Sequence, residues 1–428
     1  MNIVVKNFIE LTKIPHCSQD ADALMSFLVD FARDRGYNTE VDGTGNIWVF
    51  KGKSKLCLQA HYDMVCMGKA PDIETYEEDG WLKAKESSLG ADNGMAIAMM
   101  MSLMDEALEL EFLFTADEEV GLIGAKAVGF PLHAHYMLNL DFEDEAMVCI
   151  GCAGGIDIIA SCDGEFVDGS AECYEVAING LPGGHSGVDI DKDIPSAIKL
   201  LARYLKEQDI TQIAYLLGGE RSNSIPANAV AIIRANKEPK STDKIKVRRL
   251  NETPKVYANS SNNIDMIDGF EHGVREFDDE LGIPSSSINL ATVTADENGK
   301  IVMELSARAM DAETLEMLGA ESGSYFESYG MSIKTKDKYP AWKPQKGKFV
   351  NSVEVHMQKQ FGKSKLYAIH AGLECGVLSD KYPQIEFASI GPTIQYPHST
   401  REKVNLKSVK NTYKVLQSII KDIFSDVQ

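Results

Sequence analysis

Several things are scarce in this chain of 428 residues, and each scarcity excludes a class of protein. Eight cysteines are too few for a disulfide-stapled secreted scaffold, and a chain this long can bury a core without staples. With no secretion signal in evidence, the cysteines read as reduced thiols of the cytosol, buried or incidental. Basic charge is scarce as well: 43 lysines and arginines face 64 acids, a net charge of −21. Such an excess argues against nucleic acid or an anionic membrane as partner. No apolar run approaches the 18 or so residues needed to span a bilayer. The longest, Met95 to Met104, is bounded by Asn93 and Asp105. The opening stretch MNIVVKNFIELTKIPHCS is interrupted by Lys6, Glu10 and Lys13, unlike a signal peptide. Neither solenoid-length repeats nor low-complexity tracts occur.

What remains is ordinary globular composition, 44% hydrophobic and 25% charged, in a length that suits two or three domains. Asp20 to Arg35 reads as an amphipathic helix closed by Gly36. NIWVF (46–50), LCLQA (56–60), EFLFT (111–115) and YMLNL (136–140) read as strands, with a helix beginning near Asn93. Strands alternating with helices predict an α/β domain with a mostly parallel sheet and helices on both faces. The middle differs. Strand-like runs at 173–180, 211–217, 228–235, 288–295 and 301–308, with helices over 195–208 and 262–280, make about 180 residues of α+β material. After Tyr339 and Pro340 the first style resumes, with strands at 364–370 and 384–390 and a last amphipathic helix over 407–425. One α/β domain, 1–156 with 339–428, is therefore expected to be interrupted by an inserted α+β domain, 157–338. Linkers near 156 and 338 make a hinge.

The polar residues fall where such a sheet would use them. LCLQA runs into His61 and Asp63, EFLFT into Asp117, Glu118 and Glu119, and YMLNL into Asp141. Asp92 sits in LGADNG ahead of a helix, and His398 follows the strand IEFASI. Ligands of open parallel sheets bind beyond the carboxyl ends of the strands. Each element has an ordinary structural reading when taken singly. Jointly, two histidines and three carboxylates make a ligand set for a zinc-like ion or for two. Charge balance favours two: Zn²⁺ pairs bring +4 against −3 from Asp92, Glu119 and Asp141, and one bound hydroxide completes neutrality. Residues two apart on a strand share a face, so Asp63 can orient the His61 ring.

HYDMV, GADNG, FTADEEVGLIGA, NLDFED and GPTIQYPHSTRE resemble the dinuclear zinc peptidases of the aminoacylase and carboxypeptidase type, in particular the Xaa-His dipeptidase branch, also called carnosinase-like or cytosol non-specific dipeptidases. The resemblance runs from His61 to His398. It implies two zinc ions, with manganese or cobalt as substitutes: His61 and Asp141 on one, Glu119 and His398 on the other, Asp92 between them. It implies Glu118 as general base for a dizinc-bound hydroxide and Asp63 as orienter of His61. It makes 157–338 a lid. There LPGGHSG would place His185 at the oxyanion, RSNSIPANA would place Asn223 near the substrate carboxyl end, and Arg308 in LSARAMD would pair with the substrate carboxylate. Gly372 and Glu374 in HAGLECG would line the pocket. For His185, Asn223 and Arg308 taken singly, ordinary structural roles stand beside these. The implied function is a cytoplasmic metal-dependent dipeptidase, Xaa-His-like or broad in specificity, acting on small peptides; a homodimer is compatible with it. The alternatives are an N-acyl amino acid deacylase or a tripeptidase with the same chemistry, and a non-catalytic binding protein would need a broken ligand set. The chain looks shorter than typical of that branch, mostly in the lid, and Tyr62 stands where leucine is usual. Cys149-x-x-Cys152 lacks the second pair of a zinc ribbon, and IGCAGG (150–155) lacks the spacing of a dinucleotide loop.

Overall fold

A computed structural model describes residues 3–425. The chain forms two compact units: 1–152 with 342–368 and 373–428, and 153–341 with 369–372.

The first unit is built on an eight-stranded sheet. Its order is Asn38–Val41, Ile47–Phe50, Glu111–Thr115, Leu56–His61, Tyr136–Asn139, Glu386–Ser389, Met147–Cys152, Lys365–Ile369. The four central strands run parallel, and the neighbours on either side add antiparallel pairs. The expected parallel sheet is thus its centre. Leu56–His61 is buried at every position, as a central strand covered on both faces must be. Helix Ala91–Asp105, rich in methionine and alanine, is buried nearly all round and packs against that strand. Helix Leu406–Ser425 is amphipathic instead, burying Val409, Tyr413, Leu416 and Ile420 at helical spacing.

The second unit is an antiparallel sheet in the order Ile245–Leu250, Glu172–Ile178, Ala229–Ala235, Ile213–Gly218, Ile283–Ala295, Lys300–Ala309, Gly154–Asp163, Ser332–Tyr339. Helices Ala197–Glu207 and Ala312–Glu327 pack against it, and helix Ser260–Gly269 packs on the first of these. Ser196 caps the first helix by accepting from Lys199 N, and Asp311 caps the second by accepting from Thr314 N. No helix among the described residues is long and apolar enough to cross a membrane.

Two expectations needed correction. The helix read over 262–280 ends at Gly269, and Gly273–Asp278 is a strand paired with Ile283–Ala295. Gly273 takes φ +115°, which a helix cannot continue through. The strand's GVREFD pattern mimics a helical surface because it lies at a half-exposed edge. The cysteines are not all free: Cys17 and Cys66 form a disulfide, with Cα atoms 5.5 Å apart, while the other six are free thiols. A separation of 49 residues in sequence offers no sign of that adjacency.

His272, between the helix and the edge strand, accepts the Leu290 N–H on Nδ1 at 3.0 Å. Burial, aided by Lys199, pushes its pKa down to about 4. The folded state therefore holds fewer protons than the unfolded one between about pH 6.5 and 4, and stability present above 6.5 is lost as pH falls through that window. Thermal melts from pH 8 to 4 should fall more steeply for the wild type than for His272→Asn, whose amide oxygen can take the same N–H. Equal slopes would refute the assignment.

Candidate active site

The parallel centre of the first sheet brings the carboxyl ends of its strands to one edge. His61 closes Leu56–His61 in register with Thr115, the last residue of Glu111–Thr115. Glu118 and Glu119 lie just beyond that strand, and Asp141 lies two residues past Tyr136–Asn139. Asp92 sits in the first turn of helix Ala91–Asp105 with non-helical φ/ψ of −86°, 104°, so that turn does not hold itself.

The ligand atoms meet at Asp92. Its Oδ1 lies 3.1 Å from His61 Nε2, and its Oδ2 lies 3.0 Å from His398 Nε2. Asp141 Oδ1 is 3.4 Å from His61 Nε2, and Glu119 Oε1 is 2.9 Å from His398 Nε2. Three groups could each hold a cation: His61, Asp92 and Asp141; Asp92, Glu119 and His398; His61, Glu118 and Glu119. The first two share Asp92, one carboxylate oxygen toward each histidine, as a bridging ligand requires.

Electrostatics fit a cation. Burial lowers both histidines, yet Asp141, Asp63 and Asp92 push His61 well above its ordinary value. Against burial too, Asp92 and Glu119 push His398 up to about 11. Burial raises the Asp141 carboxyl to about 6 despite His61, with Asp92 and Glu119 adding to the rise. Burial opposes ionisation of Asp92, but its two histidines hold it well below the usual range. The acids thus draw both histidines toward the charged form, and a divalent ion among the same atoms would supply positive charge in their place. Glu119 Oε1, buried with His398 Nε2 beside it, is an available ligand atom. Glu118 is pushed well up by burial and by Asp141, Glu119 and Glu374, with His61 opposing. Glu143, outside the expected set, is raised to about 9 by burial and by Asp92 and Asp141. Its only sequence signal was membership of the acidic run 141–145.

Asp63 lies beside His61 and also reaches the two glutamates. His61 Nδ1 is 3.0 Å from the Asp63 carbonyl oxygen and 3.5 Å from its carboxylate. The carboxylate, 1% exposed, accepts from Ser18 Oγ at 2.7 Å, Glu118 N at 2.9 Å and Glu119 N at 3.4 Å. One residue thereby meets the His61 ring and holds the backbone of both glutamates. Behind the edge lies a buried polar network absent from the sequence reading. Gln59 takes the Asn139 amide and donates to Thr115 Oγ1 and to Glu374 Oε2, while Ser389 donates to Asn139. Glu374, fully buried at the start of helix Glu374–Lys381, also accepts from Thr115 at 2.8 Å and is pushed up to about 7 by burial and Asp141 against His61. Its Oε1 has no hydrogen-bond partner.

The other expected residues lie in the second unit. His185 pairs with Ser224 across a two-residue strand and donates its N–H to Asp189 Oδ2. Its Nδ1 accepts from Gly187 N at 3.1 Å and Val188 N at 3.3 Å, which leaves Nε2 to carry the ring hydrogen. Burial and Arg308 lower it to about 4, so the ring is neutral. Asn223 is exposed, and its carbonyl accepts from Ser186 N at 2.8 Å. Arg308, 6% exposed on Lys300–Ala309, donates to the Tyr339 hydroxyl at 2.6 Å and reaches Ser186 Oγ at 3.5 Å. Its Nε is buried without a partner. Gly372 lies against Tyr339, whose ring would be 2.7 Å from any Cβ there.

The Peptidase family M20/M25/M40 model matches residues 57–422, and this chain belongs to that family of peptide hydrolases. The chain is 31% identical to the cytosol non-specific dipeptidase of Escherichia coli (strain K12) over an alignment of 484 residues, covering 97% of this chain and 96% of that one. A crystal structure of aminoacylhistidine dipeptidase from Vibrio alginolyticus superposes with a TM-score of 0.84 at 28% identity, covering 98% and 96%. A tripeptidase of Staphylococcus aureus shares the fold at a TM-score of 0.62 and 16% identity.

Replacing Asp63 by Asn sets an amide N–H₂ against backbone N–H groups and should cost about 1–3 kcal/mol of unfolding free energy. Urea denaturation checks this, and an unchanged midpoint would contradict the role.

Proposed function

We propose that the five ligand residues hold two zinc ions, His61 and Asp141 on one, Glu119 and His398 on the other, with Asp92 between. The single observation that supports this reading is the sharing of Asp92 between two histidine–carboxylate groups. The chain is a metal-dependent dipeptidase acting on small peptides. Manganese or cobalt are substitutes for zinc in the same ligand set.

Two cations in such a site supply Lewis-acid polarisation of the scissile carbonyl and lower the pKa of water to near neutrality. The protein groups do the rest. Glu118, with a carboxyl held upward by burial among acids, accepts the proton of the attacking water and delivers it to the leaving amine. Asp63 holds the Glu118 N–H and so aims that carboxylate. His185, neutral with hydrogen on Nε2, donates to the carbonyl oxygen as it gains charge. Arg308 offers its unpartnered Nε and its guanidinium fork to the substrate carboxylate, with Asn223 near that end and Gly372 leaving room beside Tyr339. Glu374 offers a free buried Oε1 to the substrate. In this reading residues 1–156 and 339–428 form the catalytic domain, 157–338 the lid, and the protein works in the cytoplasm, as the name of its Escherichia coli relative says of that protein.

Two measurements test the reading. Glu118→Ala should retain its metal, measured by elemental analysis, while hydrolysis slows by roughly 10²–10⁴-fold; a wild-type rate would exclude Glu118 as base. Against a panel of dipeptides, β-alanyl-histidine included, N-acetyl amino acids and tripeptides should turn over more slowly. Faster turnover of the acetylated compounds would make the chain a deacylase.

A further inference from the structure

Glu402, outside the ligand set, is a carboxylate buried to 3% exposure. Its Oε2 accepts from Leu89 N at 2.7 Å and Gly90 N at 3.0 Å, and its Oε1 accepts from Ala91 N at 2.7 Å and Asp92 N at 3.3 Å. Each oxygen thus faces two donors, and these hydrogen bonds oppose the upward push that burial and Asp92 give the carboxyl. These N–H groups open helix Ala91–Asp105, whose N-cap is Gly90 in the left-handed region with no side chain to cap it. A helix start normally draws on a neighbouring Ser, Thr, Asn or Asp. Here the acceptor comes from 310 residues away, on the segment that carries His398 four positions earlier. That segment is anchored in turn: Ser399 Oγ donates to Tyr396 O, Glu402 N donates to Ser399 O, and Lys403–Asn405 pairs with Trp81–Ala84.

We infer that Glu402 is a positioning residue for the metal pair, clamping the backbone of Asp92 to the segment bearing His398 so that one carboxylate serves both ions. The inference rests on the dinuclear reading above. Asp92 has non-helical dihedrals, so its own helix does not fix it, and its two oxygens must stay about 3 Å from two histidines on different segments. Four hydrogen bonds accepted by one carboxylate supply that constraint, and bonds of this kind to a carboxylate are the stronger class. Glu402→Gln puts an N–H₂ against two of the four donors, and Glu402→Asp keeps the charge but draws it back by one methylene.

The test is cobalt titration of the metal-free full-length protein, read by visible absorption and by the magnetic coupling between paired Co²⁺ ions in electron paramagnetic resonance. Wild type should bind two ions with coupled spins. Glu402→Gln should bind the second ion about 10–100-fold more weakly and lose the coupling, with kcat reduced in the same range and KM within about twofold. Glu402→Asp should recover part of each. Glu111→Gln is the control for stability. Glu111 is a fully buried carboxylate that accepts the His133 N–H groups at the far end of strand Glu111–Thr115, and its loss should lower the melting temperature while leaving cobalt uptake and coupling intact. A Glu402→Gln protein with a lowered melting temperature but wild-type affinity and coupling would make Glu402 a helix cap only and overturn the inference. If Glu402→Gln does not fold, Glu402→Asp decides in the same way, and failure of both to fold also overturns it. A wild type that binds fewer than two ions would instead refute the dinuclear reading itself, before any variant is compared.

Discussion

The first unit is organised around a repulsion among buried acids. Asp92, Asp141, Glu118 and Glu119 are gathered within a few ångströms of one another at the edge of a buried sheet, with Glu143 and Glu374 close behind. In a medium of low dielectric such a group of acids is costly unless positive charge is set among them. Two histidines are the only basic side chains in direct contact with the ligand carboxylates among the described residues, and both are driven upward as a result. Multivalent cations at the centre of the group would supply that positive charge, and the same density of acids pushes the Glu118 carboxyl up.

Precision at that edge comes from groups that do not themselves face the substrate. Asp63 spends its carboxylate on the amides of Glu118 and Glu119 and on Ser18, while its carbonyl steers His61. Gln59, Thr115, Asn139 and Ser389, one from each central strand, form a hydrogen-bonded ladder beneath the ligand residues. A buried polar network is stabilising only when its members are satisfied, and here it pins the relative heights of four strand ends. In the second unit the same economy appears in His185, whose Nδ1 is occupied by backbone donors so that its hydrogen is presented on the other nitrogen.

Much of this was legible along the chain because it rests on short-range pattern. Parallel strands buried on both faces read as unbroken apolar runs, and the candidate ligand residues fall immediately after them, so the gathering of His61, Glu119 and Asp141 at one edge could be anticipated from position. His398 and Asp92 could be picked out by motif. The helix assigned over 262–280 was overextended because an edge strand with alternating charge and a helical face share similar composition, and only Gly273 distinguishes them. The Cys17–Cys66 bond, the role of the Asp63 carboxylate and the acceptor at the start of helix Ala91–Asp105 had no local signature at all.

Hydrophobic periodicity and residue order along the chain were enough to determine the class of fold, the alternation of two structural styles and the candidate side chains that the fold gathers at one edge, since all three depend on neighbours a few positions apart. Which carboxylate oxygen meets which histidine, which amide each buried acid satisfies, and which thiols pair were decided only by tertiary structure. Those contacts join segments separated by up to some 310 residues, and their energies depend on angles and distances that exist only once the sheet has brought the segments together.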